Sequence, residues 1–219
     1  MIDFHTHILP EMDDGSKSVE ESLAMLREET RQGIKTVVLT PHFYASENSP
    51  EQFLKRRNEA WKKLEPRLDK GMPQLYLGAE VQYFEGISQV DEISDLCIEK
   101  TRLFLLEMPF CKWSDRMISN VLELKEEQGI QVVLAHIERY LAQQPKGICR
   151  ELVRHGIAIQ ANASFFNHWQ TRHKAMKMLR QGEIHVLGSD CHNMRNRPPN
   201  LDRAYEQIGH HVNHLHEIF

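Results

Sequence analysis

Side chains that can hold a metal ion follow at least five short apolar segments of the chain. The first segment runs into His5-Thr6-His7, and both imidazoles would face the same side because strand side chains repeat every two residues. Glu80 and Glu107 each end a long apolar run, and a carboxylate there needs a cation or several donors to offset its desolvation. Imidazole and carboxylate together suit divalent transition metals. The pattern is typical of a metallohydrolase, and its candidate ligands at segment ends are His5, His7, His42, Glu80, Glu107, His136, Asp190 and His192.

The apolar segments are predicted to be strands of a parallel sheet. Short apolar runs bounded by polar residues are typical of strands buried on both faces. Seven such strands are predicted near residues 2–6, 35–40, 75–80, 103–107, 132–136, 157–161 and 184–189. Amphipathic segments alternate with them and predict helices near residues 18–33, 50–66, 114–128, 146–155, 170–181 and 201–216. This alternation predicts a parallel sheet, open or closed, and in βα barrels the carboxyl ends of the strands carry the chemistry.

Composition and charge restrict the number of domains, the class of protein and its expected location. The 219 residues, with no internal repeat or linker, predict a single domain over residues 1–219. A formal net charge of −4 without long basic runs argues against a nucleic-acid binder. Four cysteines without CxxC spacing predict reduced thiols of a cytosolic protein. No signal peptide fits the first residues and no apolar stretch reaches membrane-spanning length, so the chain is predicted to be cytoplasmic without membrane insertion.

Each candidate ligand also has a simpler explanation when it is taken alone. A His-x-His pair is common by chance, and salt bridges to arginine would satisfy Glu80 and Glu107. Asp190 could cap a helix, and Asp13-Asp14-Gly15 is typical of a turn. All of these simpler explanations would have to apply independently at the ends of successive strands. A common metal site explains the residues together and is therefore favoured.

The order of these motifs resembles the PHP superfamily, named for polymerase and histidinol phosphatase. Its opening is matched by His5-Thr6-His7 followed by Asp13-Asp14-Gly15. The combination is most similar to the metal-dependent tyrosine phosphatases of Gram-positive capsule and exopolysaccharide operons, over residues 1 to about 209. The motifs that carry this resemblance are Met1 to Pro10, Thr40-Pro41-His42, Gly78-Ala79-Glu80, Leu106-Glu107, Ala135-His136-Ile137-Glu138-Arg139-Tyr140, Ser189-Asp190-Cys191-His192-Asn193 and Arg197-Pro198-Pro199.

The resemblance implies a fold and a set of site residues. The fold would be α/β, a distorted seven-stranded (β/α)7 TIM-like barrel of the PHP type. Arg139 and Arg197 would meet the substrate phosphate, for which a guanidinium fork is suited, while Glu138 would be a neighbour of the site rather than a ligand. Two or three divalent ions are implied: a first held by His5, His7, Glu80 and Asp190, a second by Glu80, Glu107 and His136, and a third by His42, His192 and an aspartate of the Asp13-Asp14 pair, with Asp14 favoured and its neighbour left open.

The implied activity is metal-dependent hydrolysis of phosphotyrosine in a protein. Metal ions close together lower the pKa of a bridging water, so that hydroxide is available near neutral pH to attack phosphorus. The mixed ligand set suits manganese, iron or zinc, and ligand type cannot separate them. Manganese is the expected metal. The implied substrate is a bacterial tyrosine autokinase with a tyrosine-rich tail, through which the enzyme would act in capsular and exopolysaccharide biosynthesis.

Four alternatives remain beside this hypothesis. Cys191 and Arg197 satisfy the Cys-x5-Arg spacing of thiol-based tyrosine phosphatases, but the intervening loop has no glycine and runs into Pro198-Pro199, which supply no amide donors. Another PHP-type phosphoesterase resembling histidinol phosphatase would share the ligands. So would an amidohydrolase or deoxyribonuclease barrel, although Arg139 and Arg197 favour phosphoryl chemistry and the acidic charge disfavours DNA. A non-catalytic binding module is disfavoured because the ligand set is complete.

Four segments have no assigned role. Residues 81–101 are the least regular and predict a short helix or an excursion. Cys111-Lys112-Trp113-Ser114 and Phe165-Phe166 would either shape the substrate rim or be ordinary loop residues partly packed on the barrel. The four terminal histidines, predicted to lie on a solvated helix face, are His210, His211, His214 and His216.

Overall fold

A curled parallel β-sheet forms the centre of the computed structural model, which describes residues 1–209 and 215–219. The strands are β1 Ile2–Thr6, β2 Thr36–Leu39, β3 His42–Phe43, β4 Gln74–Leu77, β5 Glu80–Gln82, β6 Leu103–Glu107, β7 Gln131–Leu134, β8 Ala158–Asn162 and β9 Val186–Gly188. All strand pairs are parallel, in the orders β1-β2-β4 and β3-β5-β6-β7-β8-β9. A parallel bridge between Thr6 and Cys191 brings the end of the sheet at β9 beside β1.

Two predicted strands are interrupted just before their candidate ligands. The segment predicted at residues 35–40 forms β2 and is followed by the separate short strand β3, and the segment at 75–80 is divided between β4 and β5. Pro41 lies at the first break, where it has no N–H to donate to a ladder. At the second break a Cβ on Gly78 would lie 3.1 Å from Ile98. The α/β class and the parallel sheet are therefore confirmed, while the described residues form nine strands rather than the seven predicted.

Helices connect the strands much as the sequence predicts. Ser18 caps α1 by accepting a hydrogen bond from the Glu21 amide, and Ser49 forms a capping box with Gln52 at the start of α2. Short 3-10 helices at Ile87–Gln89 and Asp91–Leu96 account for the irregular segment 81–101. The α-helices are α1 Val19–Arg31, α2 Pro50–Leu64, α3 Asp115–Gln128, α4 Ile148–Arg154, α5 Ala163–Asn167, α6 Trp169–Arg180 and α7 Leu201–Ile208.

The carboxyl-terminal prediction was wrong in part. Helix α7 ends at Ile208 rather than near residue 216. The ring of His216 does not lie on a solvated face, because its Nε2 is 2.7 Å from the Tyr205 hydroxyl. His210, His211 and His214 lie outside the described residues.

Apolar packing occurs on both faces of the sheet. The larger cluster packs the helices against the outer face. A smaller cluster draws Phe4, Val38, Val133 and other residues from six strands, so it fills the concave face. The Phe219 ring packs edge-on against Phe4 at 5.9 Å between centroids. Within the described part of the chain, no helix combines the length and apolar character needed to cross a membrane.

Candidate metal centre

Glu80 is the centre of a cluster of imidazoles at the carboxyl ends of the strands. Its register partner across the β3–β5 pair is His42, whose Nδ1 lies 3.0 Å from Glu80 Oε2. The Nε2 atoms of His5 and His7 lie 3.1 Å and 3.3 Å from the same oxygen. The other oxygen, Oε1, lies 2.8 Å from His136 Nε2. One buried carboxylate thus faces four imidazoles, which lie in or just after the strands β1, β3 and β7.

Asp190 and Glu107 extend this cluster on two sides. Asp190 Oδ1 lies 3.4 Å from His7 Nε2 and 3.8 Å from His5 Nε2. Glu107 Oε1 lies 3.5 Å from His136 Nε2. The structure therefore brings together the residues expected for the first ion and those expected for the second, with Glu80 shared between them.

The two neighbouring aspartates have different surroundings. Asp14 is exposed, and its Oδ1 lies 3.2 Å from His192 Nε2 and 3.7 Å from His42 Nε2. Asp13 instead accepts hydrogen bonds: its Oδ2 from the His42 amide at 2.8 Å and its Oδ1 from the Gly15 amide at 2.9 Å. Asp13 Oδ2 also lies 2.7 Å from His7 Nδ1, so it orients that imidazole. The free carboxylate beside His42 and His192 is that of Asp14.

Several lone pairs in the cluster have no hydrogen bond to satisfy them. Glu80 Oε2, His42 Nδ1 and His192 Nε2 are buried and have no hydrogen-bond partner. One ligand atom from each of His7, Asp14, His42 and His192 lies within 4.8 Å of the others, and the same holds for His42 with Glu80 and Glu107. Buried lone pairs that face each other are costly unless a cation stands between them. The donor set fits divalent metal ions.

The surroundings keep the central carboxylates ionised. Burial alone would raise the pKa of Glu80, but the charge of His5 and the hydrogen bond from His136 hold it well below its usual 4.5. Burial likewise opposes ionisation of Asp190, and His5, His7 and Arg139 outweigh it, so its pKa also falls well below 3.8. Both groups are anionic acceptors at any working pH, as metal ligands must be.

Two candidate ligands have a backbone conformation that is rare for residues with a Cβ. His136 has a φ of 28° and Asp190 a φ of 54°. Such strain persists where surrounding contacts over-determine it, and it is concentrated at functional sites. Here it turns both side chains into the cluster directly after β7 and β9.

Two residues of β8 hold the ligands in place and were missed by the sequence analysis. Gln160 Oε1 accepts a hydrogen bond from the His136 amide at 2.6 Å and lies 3.2 Å from His5 Nδ1. Asn162 Nδ2 donates to Asp190 Oδ2 at 3.0 Å, and Gln160 Nε2 donates to Asn162 Oδ1 at 2.8 Å. The signal was present, because amides at alternate positions of an otherwise apolar buried strand need polar partners.

Both predicted phosphate-binding arginines reach the cluster. Arg139 Nη2 donates to Asp190 Oδ2, and Arg197 Nη2 forms an ion pair with Asp190 Oδ1 at 2.6 Å. Their side chains are 35% and 39% exposed, so each joins the buried cluster to solvent. Glu138 is bound elsewhere: its Oε2 accepts from the Asn162 amide at 3.3 Å, and burial raises its pKa to about 7. Arg139 therefore contacts a candidate ligand rather than a surface carboxylate.

An exposed aromatic ring lies at the edge of the cluster and was not singled out from the sequence. Phe110 is 57% exposed, and its ring centroid lies 5.3 Å from that of Tyr140 and 6.3 Å from that of His136. Trp113, in the segment without an assigned role, is buried and donates from Nε1 to the Pro109 carbonyl, so it supports the turn that presents Phe110. Phe165-Phe166 are buried within α5, so their interpretation as partly packed loop residues was wrong.

Cys191 belongs to a second group of buried side chains of metal-binding types. We call Asp3, Glu29 and Cys191 the sealed cluster, because all three side chains have no solvent exposure. The Cys191 thiol lies 4.0 Å from Glu29 Oε1. Burial, with the charges of Glu29 and Asp3, raises the pKa of this thiol well above 9.0. A buried thiol that is held neutral cannot serve as a nucleophile.

Comparison with known proteins identifies relatives along nearly the whole chain. The family model described as capsular polysaccharide synthesis, CpsB/CapC, matches residues 1–217. Tyrosine-protein phosphatase CpsB of Streptococcus pneumoniae is 34% identical over 232 residues, covering 95% of this chain and 89% of the relative. Tyrosine-protein phosphatase YwqE of Bacillus subtilis is 32% identical over 209 residues, covering 90% and 79%.

Comparison with solved structures also finds relatives that share the fold. A crystal structure described as YwqE from Bacillus subtilis and CpsB from Streptococcus pneumoniae, unique metal-dependent tyrosine phosphatases, matches with a TM-score of 0.76 at 26% identity. That match covers 95% of this chain and 86% of the other. Dihydropyrimidinase from Brevibacillus agri matches with a TM-score of 0.52 at 9% identity, a likeness of fold alone.

Proposed function

The chain belongs to the CpsB/CapC family of capsular polysaccharide synthesis proteins, and we propose that it is a metal-dependent protein-tyrosine phosphatase. Family membership confirms the resemblance read from the motifs. The observation that carries the proposal is the arrangement of charge around two carboxylates. Glu80 faces four imidazoles, and Asp190 joins that cluster to two partly exposed guanidinium groups. A metal centre with adjoining arginines is suited to a phosphate monoester.

The proposed ligands are those that converge at the strand ends. They are His5, His7, Glu80 and Asp190 for one ion, Glu80, Glu107 and His136 for a second, and His42, His192 and Asp14 for a third. Support comes from the unsatisfied lone pairs of Glu80, His42 and His192 and from the low pKa of Glu80 and Asp190. Manganese is the proposed metal, with iron and zinc left open because the donors suit all three. When bound, two or three such ions supply a water of lowered pKa and offset charge on the phosphate oxygens.

The protein's own groups would bind and orient the phosphate. Arg139 and Arg197 both stand at the mouth of the cluster on Asp190. A guanidinium can form two parallel hydrogen bonds to phosphate oxygens and remains charged at any working pH. Through these contacts the arginines would hold the phosphate over the cluster and stabilise the charge that develops on its equatorial oxygens.

Phe110 would give the site its preference for an aryl ester. An exposed ring beside Tyr140 at the edge of the cluster offers an apolar face to the phenol ring of phosphotyrosine. Paired aromatic rings contribute about 0.5–1.5 kcal/mol beyond their area burial. The site therefore has one part for the phosphate and one for the ring that carries it.

A single domain with a seven-stranded (β/α)7 barrel of the PHP type remains our proposal for the architecture. It treats β2 with β3, and β4 with β5, as two strands that are each interrupted before a ligand. The backbone contacts between Thr6 and Cys191, and between His7 and Cys191, support closure of the sheet. The two apolar clusters both span the chain from its first strands to its last, which supports one domain over residues 1–219.

We further propose a phosphotyrosine protein of the cytoplasm as the substrate, in particular a bacterial tyrosine kinase of capsular or exopolysaccharide biosynthesis. The named activity of the relatives supports a phosphotyrosine protein, and the family description supports the capsule. The net charge of −4 disfavours nucleic acid as a partner.

Hydrolysis of a phosphotyrosine peptide with and without metal tests the proposed function. Activity should fall to background after treatment with a strong chelator and return with added Mn²⁺, while Cys191→Ser, in the sealed cluster, should retain most of it. A matched phosphoserine peptide, histidinol phosphate and dihydrouracil should be poor substrates. Chelator-resistant activity lost in Cys191→Ser would establish thiol chemistry instead, and faster turnover of histidinol phosphate or dihydrouracil would assign the site to another substrate class.

A further inference from the structure

Positive charge is concentrated in one segment of this acidic protein. Residues 141–183 contain seven lysines and arginines but only two glutamates, whereas the whole chain has a net charge of −4. The segment includes α4 and α6, and α4 contacts β8. Such an asymmetry indicates a surface that attracts an anionic partner.

The basic segment lines two neighbouring cavities that begin at Glu138, the residue before Arg139. The first cavity is lined by Glu138, Leu141, Phe165 and Lys174. Leu141 and Lys174 also line the second cavity, which extends to Lys146 and Lys177 over an apolar floor. The two cavities have volumes of about 300 Å³ and 280 Å³. Because they share two lining residues, we treat them as one surface, the basic groove, defined by Leu141, Lys146, Lys174, Lys177 and Met178.

The lysines of the basic groove are available to bind an anion. Lys146, Lys174 and Lys177 are exposed, and none forms an ion pair with another described residue. The acidic groups in the groove are already engaged. Glu183 is paired with Arg150 at 3.1 Å, and Glu138 accepts a hydrogen bond from the Asn162 amide. The uncompensated charge at the far end of the groove is therefore positive.

We propose that the basic groove binds an acidic segment of the polypeptide that carries the phosphotyrosine. This inference rests on the proposed function, because it needs a phosphotyrosine in the metal centre and a flanking chain that leaves it. Arg139, which faces the centre, is two residues from Leu141 at the start of the groove. A chain leaving the phosphate would pass Leu141 and Lys174 and bring its acidic side chains to Lys146 and Lys177.

An extended polypeptide fits this surface better than a membrane does. The groove is concave, and its apolar floor of Leu141, Ile148 and Met178 lies between lysines. A chain can place alternate side chains on the floor and on the lysines, whereas a flat anionic surface would contact only the lysines at the rim. Binding by such contacts depends on ionic strength, because exposed charges are screened by salt.

Paired phosphotyrosine peptides test the proposal. One peptide carries three glutamates on one side of the phosphotyrosine, a second carries them on the other side, and a third has glutamines at all of these positions. The wild-type enzyme should prefer one glutamate peptide over the glutamine peptide by about 5- to 10-fold in kcat/KM, as expected for two or three exposed ion pairs. That preference should shrink as salt is added.

A charge-reversed variant and its matched control locate the preference. Lys174→Glu combined with Lys177→Glu should abolish the preference, and a peptide with lysines in place of glutamates should then become the better substrate. Lys55→Glu combined with Lys62→Glu changes two exposed lysines of α2 that have no ion pair with described residues, so it alters the net charge equally. This control should keep the wild-type preference. Because each enzyme is judged by its own ratio between peptides, loss of stability does not imitate the result.

Three other outcomes would contradict the proposed role of the basic groove or the proposed function. Equal ratios in the wild type, the groove variant and the control would overturn the basic groove while leaving the phosphatase activity established. If no peptide is hydrolysed, the proposed function fails, and fluorescence anisotropy with the unphosphorylated glutamate peptide still measures the groove directly. Unchanged peptide ratios together with loss of binding to phosphatidylserine vesicles in the groove variant would assign the lysines to a membrane surface and also overturn the proposal.

Discussion

The metal centre and the sealed cluster are two groups of buried ionisable side chains that adjoin each other in the chain. Asp3 precedes His5 by two residues, and Cys191 directly follows Asp190. Both groups bring together at least three residues of metal-binding types. They differ in what compensates the buried charge. In the metal centre, imidazoles and guanidinium groups hold the pKa of Glu80 and Asp190 low, whereas in the sealed cluster burial and Asp3 hold the pKa of Glu29 high.

This difference shows why metal-binding residue types that lie close together do not by themselves define a metal site. Carboxylates kept ionised beside unsatisfied imidazoles need a cation. A carboxyl group kept protonated beside another carboxylate needs none, because it can donate a hydrogen bond itself. Access differs too, since Arg139 and Arg197 join the metal centre to solvent while the sealed cluster has no exposed atom. The comparison predicts that equal substitutions in the two groups have unequal effects.

The largest effect should come from exchanging a carboxylate for its amide in each cluster. Glu80→Gln should lower kcat/KM for a phosphotyrosine peptide by on the order of 10³-fold and lower the bound metal, because an amide cannot balance the charge of a metal that faces four imidazoles. Glu29→Gln, the same change in the sealed cluster, should retain metal and activity. Steady-state kinetics with metal analysis on both variants checks this. Equal losses in the two variants would remove the distinction between the clusters.

A smaller loss is expected when the arginines at the mouth of the metal centre are shortened. Arg139→Ala and Arg197→Ala should each lower kcat/KM by on the order of 10²-fold, roughly the loss of one charge-assisted contact to the developing charge. Lysine at either position should restore activity only in part, because an ammonium cannot form the bidentate fork. Metal content should persist. Near-wild-type kinetics in Arg139→Ala would show that this residue only ties down its loop.

Phe110→Ala should have a selective and milder effect. Loss of the stacking face should lower kcat/KM for phosphotyrosine by about 3- to 10-fold, as expected for one aromatic pair. Hydrolysis of an alkyl phosphate should change less, because it presents no ring. The ratio of kcat/KM for the two substrates is the measurement. An equal loss of kcat/KM for both substrates would indicate that Phe110 positions His136 and Tyr140 and does not contact the substrate.

The smallest effect should be a change in how stability depends on pH. A carboxyl group whose pKa is raised by folding keeps its proton while the unfolded chain releases it, so stability falls as pH rises above the usual 4.5 of glutamate. Glu29→Gln removes this titration. The variant should therefore lose less stability than the wild type between acidic and alkaline pH, by a few degrees in Tm. Parallel pH profiles of Tm for the two proteins would contradict a raised pKa of Glu29.

The sequence predicted which side chains come together at the strand ends better than it predicted the strands themselves. Strand-end histidines and carboxylates follow a local rule, since each needs only an apolar run and a polar end. The breaks at Pro41 and Gly78 depend on how two strands approach the rest of the sheet, so they divided strands that the periodicity treats as continuous. The end of α7 at Ile208 had a local signal, because Gly209 follows it with a φ of 54°, a conformation that favours glycine.

Residues that only position a candidate ligand were the hardest to predict from the sequence. Gln160 and Asn162 matter because they reach His136 and Asp190 across the sheet, and no spacing in the sequence places them there. Gly188 reads as an ordinary strand glycine, yet a Cβ at that position would lie 2.5 Å from the Cβ of His5. Phe110 became a candidate only once its exposure was known.

Anomalous scattering from a crystal grown with Mn²⁺ tests the central claim most directly. We expect two or three peaks enclosed by Glu80, Asp190 and the surrounding imidazoles, with Glu80 shared between two of them, and no peak at Asp3, Glu29 and Cys191. Peaks in the sealed cluster, or a metal centre without peaks in an active enzyme, would contradict the account.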